Sequence, residues 1–446
     1  MKQRIASTVW VTIALAAISS ALTGCPPPSA TPVQKGLHYL ENEQVAGPND
    51  AVIPFTNEID FPGDWPQFAT LVQAPAVRFR DPSPFIPSLI HHSLSVINDD
   101  TGDALGLTAD DLAKAARMRT ASMDFMLRFA SRDDALDAGT FGFWPYLRDT
   151  PPELLWLQQW LVSFAGFIPL YGERGPINFP ILSPREAIPT DSDVTANVYV
   201  CMLDDALLDG GPGASGTIGH YFSAWRDLGV IFRRNNPDWM PAATGAFLTW
   251  FSYRNPPDPT LPNDVDIVVN ANVLFALGRY GELDTPGVVH AITLINVAIA
   301  RGVQRERIND AALYYVDNFA LDYCISRAYA EGGVQALAPS VEILAADIEA
   351  MAIVDEDTAH WNRGTPSLST AFAMLTLMNA GRTGPLLDKA AAYLIAQQNP
   401  VTGAWPEEEF FRGTTDSGIE LRWGASSYTT ALALEALCRL QLLRSS

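Results

Sequence analysis

The stretch Leu386 to Phe411, LLDKAAAYLIAQQNPVTGAWPEEEFF, constrains the fold more than any other part of the 446-residue chain. Its apolar residues recur at helical spacing up to Gln398, Asn399-Pro400 stops the helix, and a tight Gly403-Ala404-Trp405-Pro406 turn follows. Weaker copies precede it. Lys35 to Gln44, with Leu37, Leu40 and Gln44 on one face, leads to Gly63-Asp64-Trp65-Pro66. Ala115 to Ala130, with Met118, Met123, Met126 and Phe129 facing inward, leads to Gly142-Phe143-Trp144-Pro145, and Tyr221 to Phe232 leads to Asp238-Trp239-Met240-Pro241. The tryptophan intervals are 79 (144 minus 65), 95 (239 minus 144) and 166 (405 minus 239). The last is close to two units, which implies a copy between Trp239 and Trp405 that has lost its signature.

A second class of helix alternates with these, apolar around most of its circumference and therefore enclosed. It starts at Asp193, Asp266, Ser367 and Ser427, each placed where a helix N-cap belongs. The stripes Ala312 to Ala330 and Leu154 to Phe167 are further candidates. Amphipathic outer helices alternating with enclosed inner ones predict an all-α fold, an α/α toroid, with an open solenoid of helix pairs as the structural alternative. No sustained period-2 pattern is present, so little sheet is expected.

The outer copies resemble the QW repeats of squalene-hopene cyclases: Lys35 through Tyr39-Leu40 to Gln44, and Lys389 through Tyr393-Leu394, Gln398 and Gly403 to Trp405. In that pattern the Gln bridges to the backbone of the next helix and the Trp plugs the joint between neighbours. Asp191-Ser192-Asp193-Val194-Thr195-Ala196 is similar to the DxDDTA segment that supplies the proton in class II terpene cyclases, with Val194 where the last aspartate stands. The resemblance implies that Asp193 is the acid and Asp191 its tuning neighbour. It also extends to the protein prenyltransferases, whose toroid is shared but whose zinc ligands have no counterpart in this sequence.

Lys2 and Arg4 precede an apolar run from Ile5 to Leu22 that ends in Leu22-Thr23-Gly24-Cys25. This reads as a signal segment over 1–25 resembling a bacterial lipobox, with lipid on Cys25, a flexible tether over 26–34 and one domain over 35–446. The expected location is the cell envelope, anchored to a membrane on the periplasmic or outer-membrane side. A formal charge of -21 argues against nucleic acid as a partner. Cys201, Cys324 and Cys438 lie far apart inside apolar patterns and read as buried free thiols. His91-His92 has no second ligand pair, so no metal is assigned, and no cofactor motif is present.

In a toroid the loops before the inner helices converge on one rim. Those loops carry Asp191, Asp193, Asp264, Asp266, His360, Trp361, Arg363, Arg422 and Trp423, together with the acidic run Glu407 to Glu409. Three readings of this rim stay open. In the first, Asp193 and Asp191 do acid catalysis on an apolar isoprenoid-like ligand, the other rim residues bind it, and Trp361 and Trp423 stabilise a developing cation. In the second, two carboxylates such as Asp193 and Asp266 flank a glycosidic bond and the tryptophans stack on sugar rings. In the third, the rim binds a protein or peptide and its acids only cap helices.

Overall fold

The computed structural model describes residues 29–46, 62–81, 83–130, 139–143, 190–206, 218–229, 233, 235–251, 263–414 and 420–445. The signal segment with Cys25, Trp144 and the Leu154 to Phe167 stripe lie outside them. The described chain is mostly helical. Its principal helices are α1 (Pro32–Glu43), α2 (Phe85–Ser95), α3 (Ala109–Met126), α4 (Ser192–Asp204), α5 (Ile267–Arg279), α6 (Val288–Ala300), α7 (Ala320–Ala330), α8 (Ala338–Met351), α9 (Pro366–Asn379), α10 (Pro385–Gln397) and α11 (Ser426–Ser445). No described helix is long and apolar enough to cross a membrane.

Helices α2, α4, α5, α7, α9 and α11 pack in cyclic order, and α11 returns to α2. Their circumference is nearly all buried: α5 is covered from Ile267 to Leu277 and α9 from Ser367 to Leu377. Around them α1 packs on α11 and α3, α6 on α5, α8 on α7 and α9, and α10 on α9 and α11. These outer helices bury one stripe only, as in Leu387, Ala390, Ala391 and Leu394 of α10. Helix α2 escapes the sequence pattern because it is short and follows a proline-rich stretch. Helix α1 begins at Pro32 with a Thr31–Gln34 capping box, so the helix itself starts three residues before Lys35.

The outer joints follow one rule. Trp65, Trp361 and Trp405 are each buried, and their indole N–H groups donate to the carbonyls of Leu40, Ile348 and Leu394 at 2.9, 2.7 and 2.7 Å. Each acceptor lies in the last turn of an outer helix, where carbonyls run out of intrahelical donors, although the Leu40 carbonyl also accepts the N–H of Gln44. Trp361 therefore marks the copy that the sequence had lost. Ala352 stands where Gln398 lies relative to Leu394, and Ala359 stands where Gly403 lies relative to Trp405, so two of three signature residues are gone. Where the glycine survives, packing requires it: at positive φ, a Cβ on Gly63 or Gly403 would lie 2.0 or 2.3 Å from the carbonyl oxygen of Ala121 or Lys35 on the next outer helix. Gln44 and Gln398 donate to backbone carbonyls across the same joints, Gln44 to Gly63 and Met118, Gln398 to Gly403 and Pro32.

The joint residue's backbone N–H is in turn received by a polar side chain about one turn into an inner helix. Phe141 donates to Thr195, Phe247 to Asn270, Trp361 to Thr370 and Trp405 to Thr430, at 2.9 to 3.2 Å. Asn270 is thus a joint residue.

Two features depart from the all-α expectation. Strands β1 (Phe68–Leu71), β2 (Ala74–Arg80), β5 (Glu409–Thr414) and β6 (Glu420–Gly424) form an antiparallel sheet in the order β2-β1-β6-β5, and β3 (Ile353–Val354) pairs with β4 (Ala359–His360). A register shift between Glu409 and Phe411 breaks the alternation and buries both Phe410 and Phe411, which removes the period-2 signal from the sequence. The Ala312 to Ala330 stripe is helical only from Ala320. Phe319 takes a left-handed φ of 70°, and the loop before it carries Tyr314 and Tyr315 to the rim.

Candidate active site

At the N-terminal end of α4, Asp191 is the cap: its Oδ1 accepts the N–H of Val194 at 2.7 Å. Asp193, the second residue of the helix, is thereby free of capping, contrary to its expected place as the N-cap. Its Oδ1 accepts the side-chain amides of Asn272 at 2.7 Å and Asn197 at 3.3 Å, and its Oδ2 accepts the hydroxyl of Tyr315. The guanidinium of Arg327 fixes both amides by donating to the oxygens of Asn272 at 2.8 Å and Asn197 at 3.4 Å. With each carbonyl turned to Arg327, each NH₂ is turned to Asp193. Arg327 is itself buried, 4.4 Å over the ring of Phe275 and 5.2 Å from that of Tyr323.

Both acids line a cleft with about 270 Å³ of space, part of it open to solvent. Aromatic rings form much of its wall: Phe85, Phe143, Trp250, Tyr314 and Phe411. Phe411 stacks on Phe143 and Tyr314 with centroids 5.7 and 5.9 Å apart and meets Phe85 at 5.2 Å. Burial holds the carboxyls of Asp191 and Asp193 above the ordinary range. For Asp193 the bonds from Tyr315, Asn272 and Asn197 and the positive charge of Arg327 oppose that shift. For Asp191 the neighbouring Asp193 adds to it, and its Oδ2 is buried without a hydrogen-bond partner among the described residues.

The other rim residues expected to bind a ligand are dispersed. Asp266 caps α5 through Val268 and Val269 and also accepts the N–H of Leu313; burial pushes its carboxyl up to about 7 against the bonds from Val269 and Leu313. Asp264 is buried behind Tyr314, whose hydroxyl it accepts at 2.6 Å. His360 stacks on Tyr393 of α10, and Arg363 pairs with Asp317, both away from the cleft. Trp361 closes an outer joint and has no face left for a ligand. Arg422 sits between Glu409 and Glu420 on the sheet. Trp423 packs behind Phe411 and donates its indole N–H to Asp81 at 2.6 Å. The reason is common to these five. Chain order places them before inner helices, but the sheet, the outer joints and, for Arg363, the loop before α7 take up their side chains.

The acidic run is likewise absorbed by structure. Glu407 pairs with Arg78, and Glu408 caps α9 by accepting the N–H groups of Ser367 and Leu368. Sequence reasoning missed Asn197, Tyr314, Tyr315 and Arg327. The spacing of Asn197 four residues after Asp193, and a lone arginine inside the apolar stripe of α7, were the available signals. Among the described residues no cluster of His, Cys, Asp and Glu could hold a metal ion, and Cys201, Cys324 and Cys438 are buried free thiols.

No protein-family model matches the chain, and no curated protein matches it by sequence. Its fold is similar to that of type II terpene cyclases of known structure. The type II terpene cyclase MstE from Scytonema, as a variant in complex with geranylgeranyl dihydroxybenzoate, superposes with a TM-score of 0.53 at 14% identity over 92% of this chain and 97% of that one. The apo form of MstE gives 0.51 at 13% identity over the same shares. At such identity the likeness is one of fold.

Proposed function

We propose that this protein is an envelope-located acid catalyst acting on an isoprenoid-like substrate, with Asp193 as the proton donor and Asp191 as its tuner. The observation that carries the reading is a buried acid, released from capping, at an aromatic cleft, with three donors aimed at its conjugate base. Burial raises the Asp193 carboxyl above the ordinary carboxylate range, which favours its protonated form. An alkene placed in the cleft takes that proton: its π pair forms the new C–H bond, and a carbocation forms at the other carbon. The carboxylate left behind is stabilised by Tyr315, Asn272 and Asn197, with Arg327 in the layer beneath. The faces of Phe143, Phe411 and Tyr314 suit the cation. The closed order of the six described inner helices, wrapped by outer ones, fits an α/α toroid, and the lipobox-like segment supports export and anchoring through Cys25. The glycan reading is disfavoured because Asp193 lies in a small aromatic cleft while Asp266, its expected partner, caps α5 and does not line that cleft.

The test uses the purified protein with a geranylgeranyl isoprenoid, products being followed by gas chromatography and mass spectrometry. Wild type is expected to form cyclised or isomerised products, and Asp193→Asn to lose roughly 10²–10⁴-fold in rate while keeping its circular dichroism spectrum. Undiminished turnover in Asp193→Asn would remove the assignment.

A further inference from the structure

We propose that Arg412 is a positioning residue for the acid: from the edge of the sheet it clamps the loop that carries Tyr315, and so fixes the hydroxyl that Tyr315 gives to Asp193. This rests on the reading of Asp193 as the proton donor. Strand β5 ends the order β2-β1-β6-β5 and so presents an edge to other backbone. The loop before α7 uses that edge. Tyr315 forms an antiparallel bridge with Phe411, and the backbone N–H of Arg412 donates to the carbonyl of Tyr314 at 2.7 Å.

The Arg412 side chain holds the same loop a second time. Its Nε donates to the carbonyl of Leu313 at 3.2 Å, one Nη to the carbonyl of Ala312 at 2.6 Å and the other to the side-chain oxygen of Asn309. Because α7 starts only at Ala320, these carbonyls need donors from outside a helix. The N–H of Leu313 donates in turn to Oδ2 of Asp266 at 2.6 Å, so both backbone groups of Leu313 are held. Two residues further on, the Tyr315 hydroxyl reaches Oδ2 of Asp193.

Electrostatics alone would not put an arginine here. Its three described side-chain bonds go to uncharged acceptors, and Arg422 stands opposite it in register on β6, a like-charge pairing that disfavours the sheet. Burial and Arg422 hold its guanidinium below the ordinary arginine range, against the charges of Asp266, Glu420 and Asp317. What arginine supplies is a planar fork whose donors reach several acceptors in fixed directions, which the point charge of a lysine does not. The sheet that interrupts the helical fold thereby acts on the acid: its edge strand sets the loop, the loop sets Tyr315, and Tyr315 sets Asp193.

The experiment follows the titration of Asp193 by carbon NMR of the full-length protein labelled at the aspartate carboxyls, with Asp193→Asn identifying the signal. Tyr315→Phe removes the donor, and Arg412→Met removes the clamp while keeping an unbranched stem. Both are expected to move the titration to higher pH, because a bond to the carboxylate is lost, Arg412→Met by at least about half as much as Tyr315→Phe. Arg412→Lys keeps the charge without the fork and is expected to follow Arg412→Met, so that lost charge attraction cannot account for the rise. Adding Arg412→Met to Tyr315→Phe is expected to change nothing further, since the clamp acts through the hydroxyl already removed. On the geranylgeranyl isoprenoid each single variant should lose about tenfold or more in rate. A titration like that of wild type in Arg412→Met or Arg412→Lys overturns the proposal while leaving Asp193 as the acid, and so does a further rise in the double variant. If wild type consumes no isoprenoid, the reading of function fails instead, and the titration, which needs no substrate, still decides the clamp.

Discussion

Replacing Trp361 by Phe separates a ligand-lining tryptophan from a joint tryptophan. The indole is wholly buried and donates at 2.7 Å to the carbonyl of Ile348, one of the terminal carbonyls that α8 cannot satisfy internally. Phenylalanine removes the donor and leaves that carbonyl buried and unpaired, a cost of about 1–3 kcal/mol. The smaller ring also leaves a void, so the total lies below the roughly 3–5 kcal/mol of a full truncation to Ala, at about 2–3 kcal/mol. With a urea m-value of about 3 kcal/mol/M, the unfolding midpoint falls by about 0.7–1 M. Far-UV circular dichroism is the appropriate assay because it does not depend on the fluorescence of the residue removed. Trp405→Phe breaks the same contact on α10 and should fall by a similar amount. Isoprenoid turnover should be unchanged in both. A Trp361→Phe protein that unfolds like wild type but no longer binds its ligand would refute the joint assignment.

Three further outcomes are expected. Asn272→Ala removes a donor to the Asp193 carboxylate and a partner of Arg327, and should lower turnover by about 10–10²-fold at neutral pH with the fold retained by circular dichroism. Asp191→Asn keeps the cap, since Asn serves as well as Asp there, but removes a carboxyl held above its ordinary value. Such a group stabilises the fold fully below its unfolded value near 4 and loses that contribution as pH rises through its higher folded value; the variant should therefore gain stability relative to wild type at pH 8 compared with pH 4.5, by urea unfolding. Glu408→Ala uncaps α9 and should cost about 1–2 kcal/mol, whereas Glu408→Gln, which still presents an acceptor oxygen, should cost less.

The alternation of helix types was legible because it is a property of local chain chemistry. Leu394, Gln398, Gly403 and Trp405 keep a spacing that one helix end and one joint demand, and Asp191 to Ala196 announces an acid at the start of an enclosed helix. Helical periodicity and caps are short-range, so a sequence can carry them in full. The lost copy shows the limit: once Ala352 and Ala359 replace Gln and Gly, only the contact of Trp361 with Ile348 identifies it. Tertiary structure alone decided which rim residues meet. Tyr315 lies 122 residues from Asp193 in the chain and reaches it, with Tyr314 lining the same cleft, because the helix expected from Ala312 begins only at Ala320. Arg327 gains its meaning from two asparagines on other helices, His360, Trp361, Arg422 and Trp423 lose theirs to the sheet and the joints, and Arg363 loses its own to Asp317. Which of two neighbouring aspartates caps a helix and which faces the cleft is likewise settled by what packs against each. The sequence determines an alternation of outer and enclosed helices with an acid at the start of one of them; the partners of that acid are non-local, and only the packing of the enclosed helices on one another brings them together.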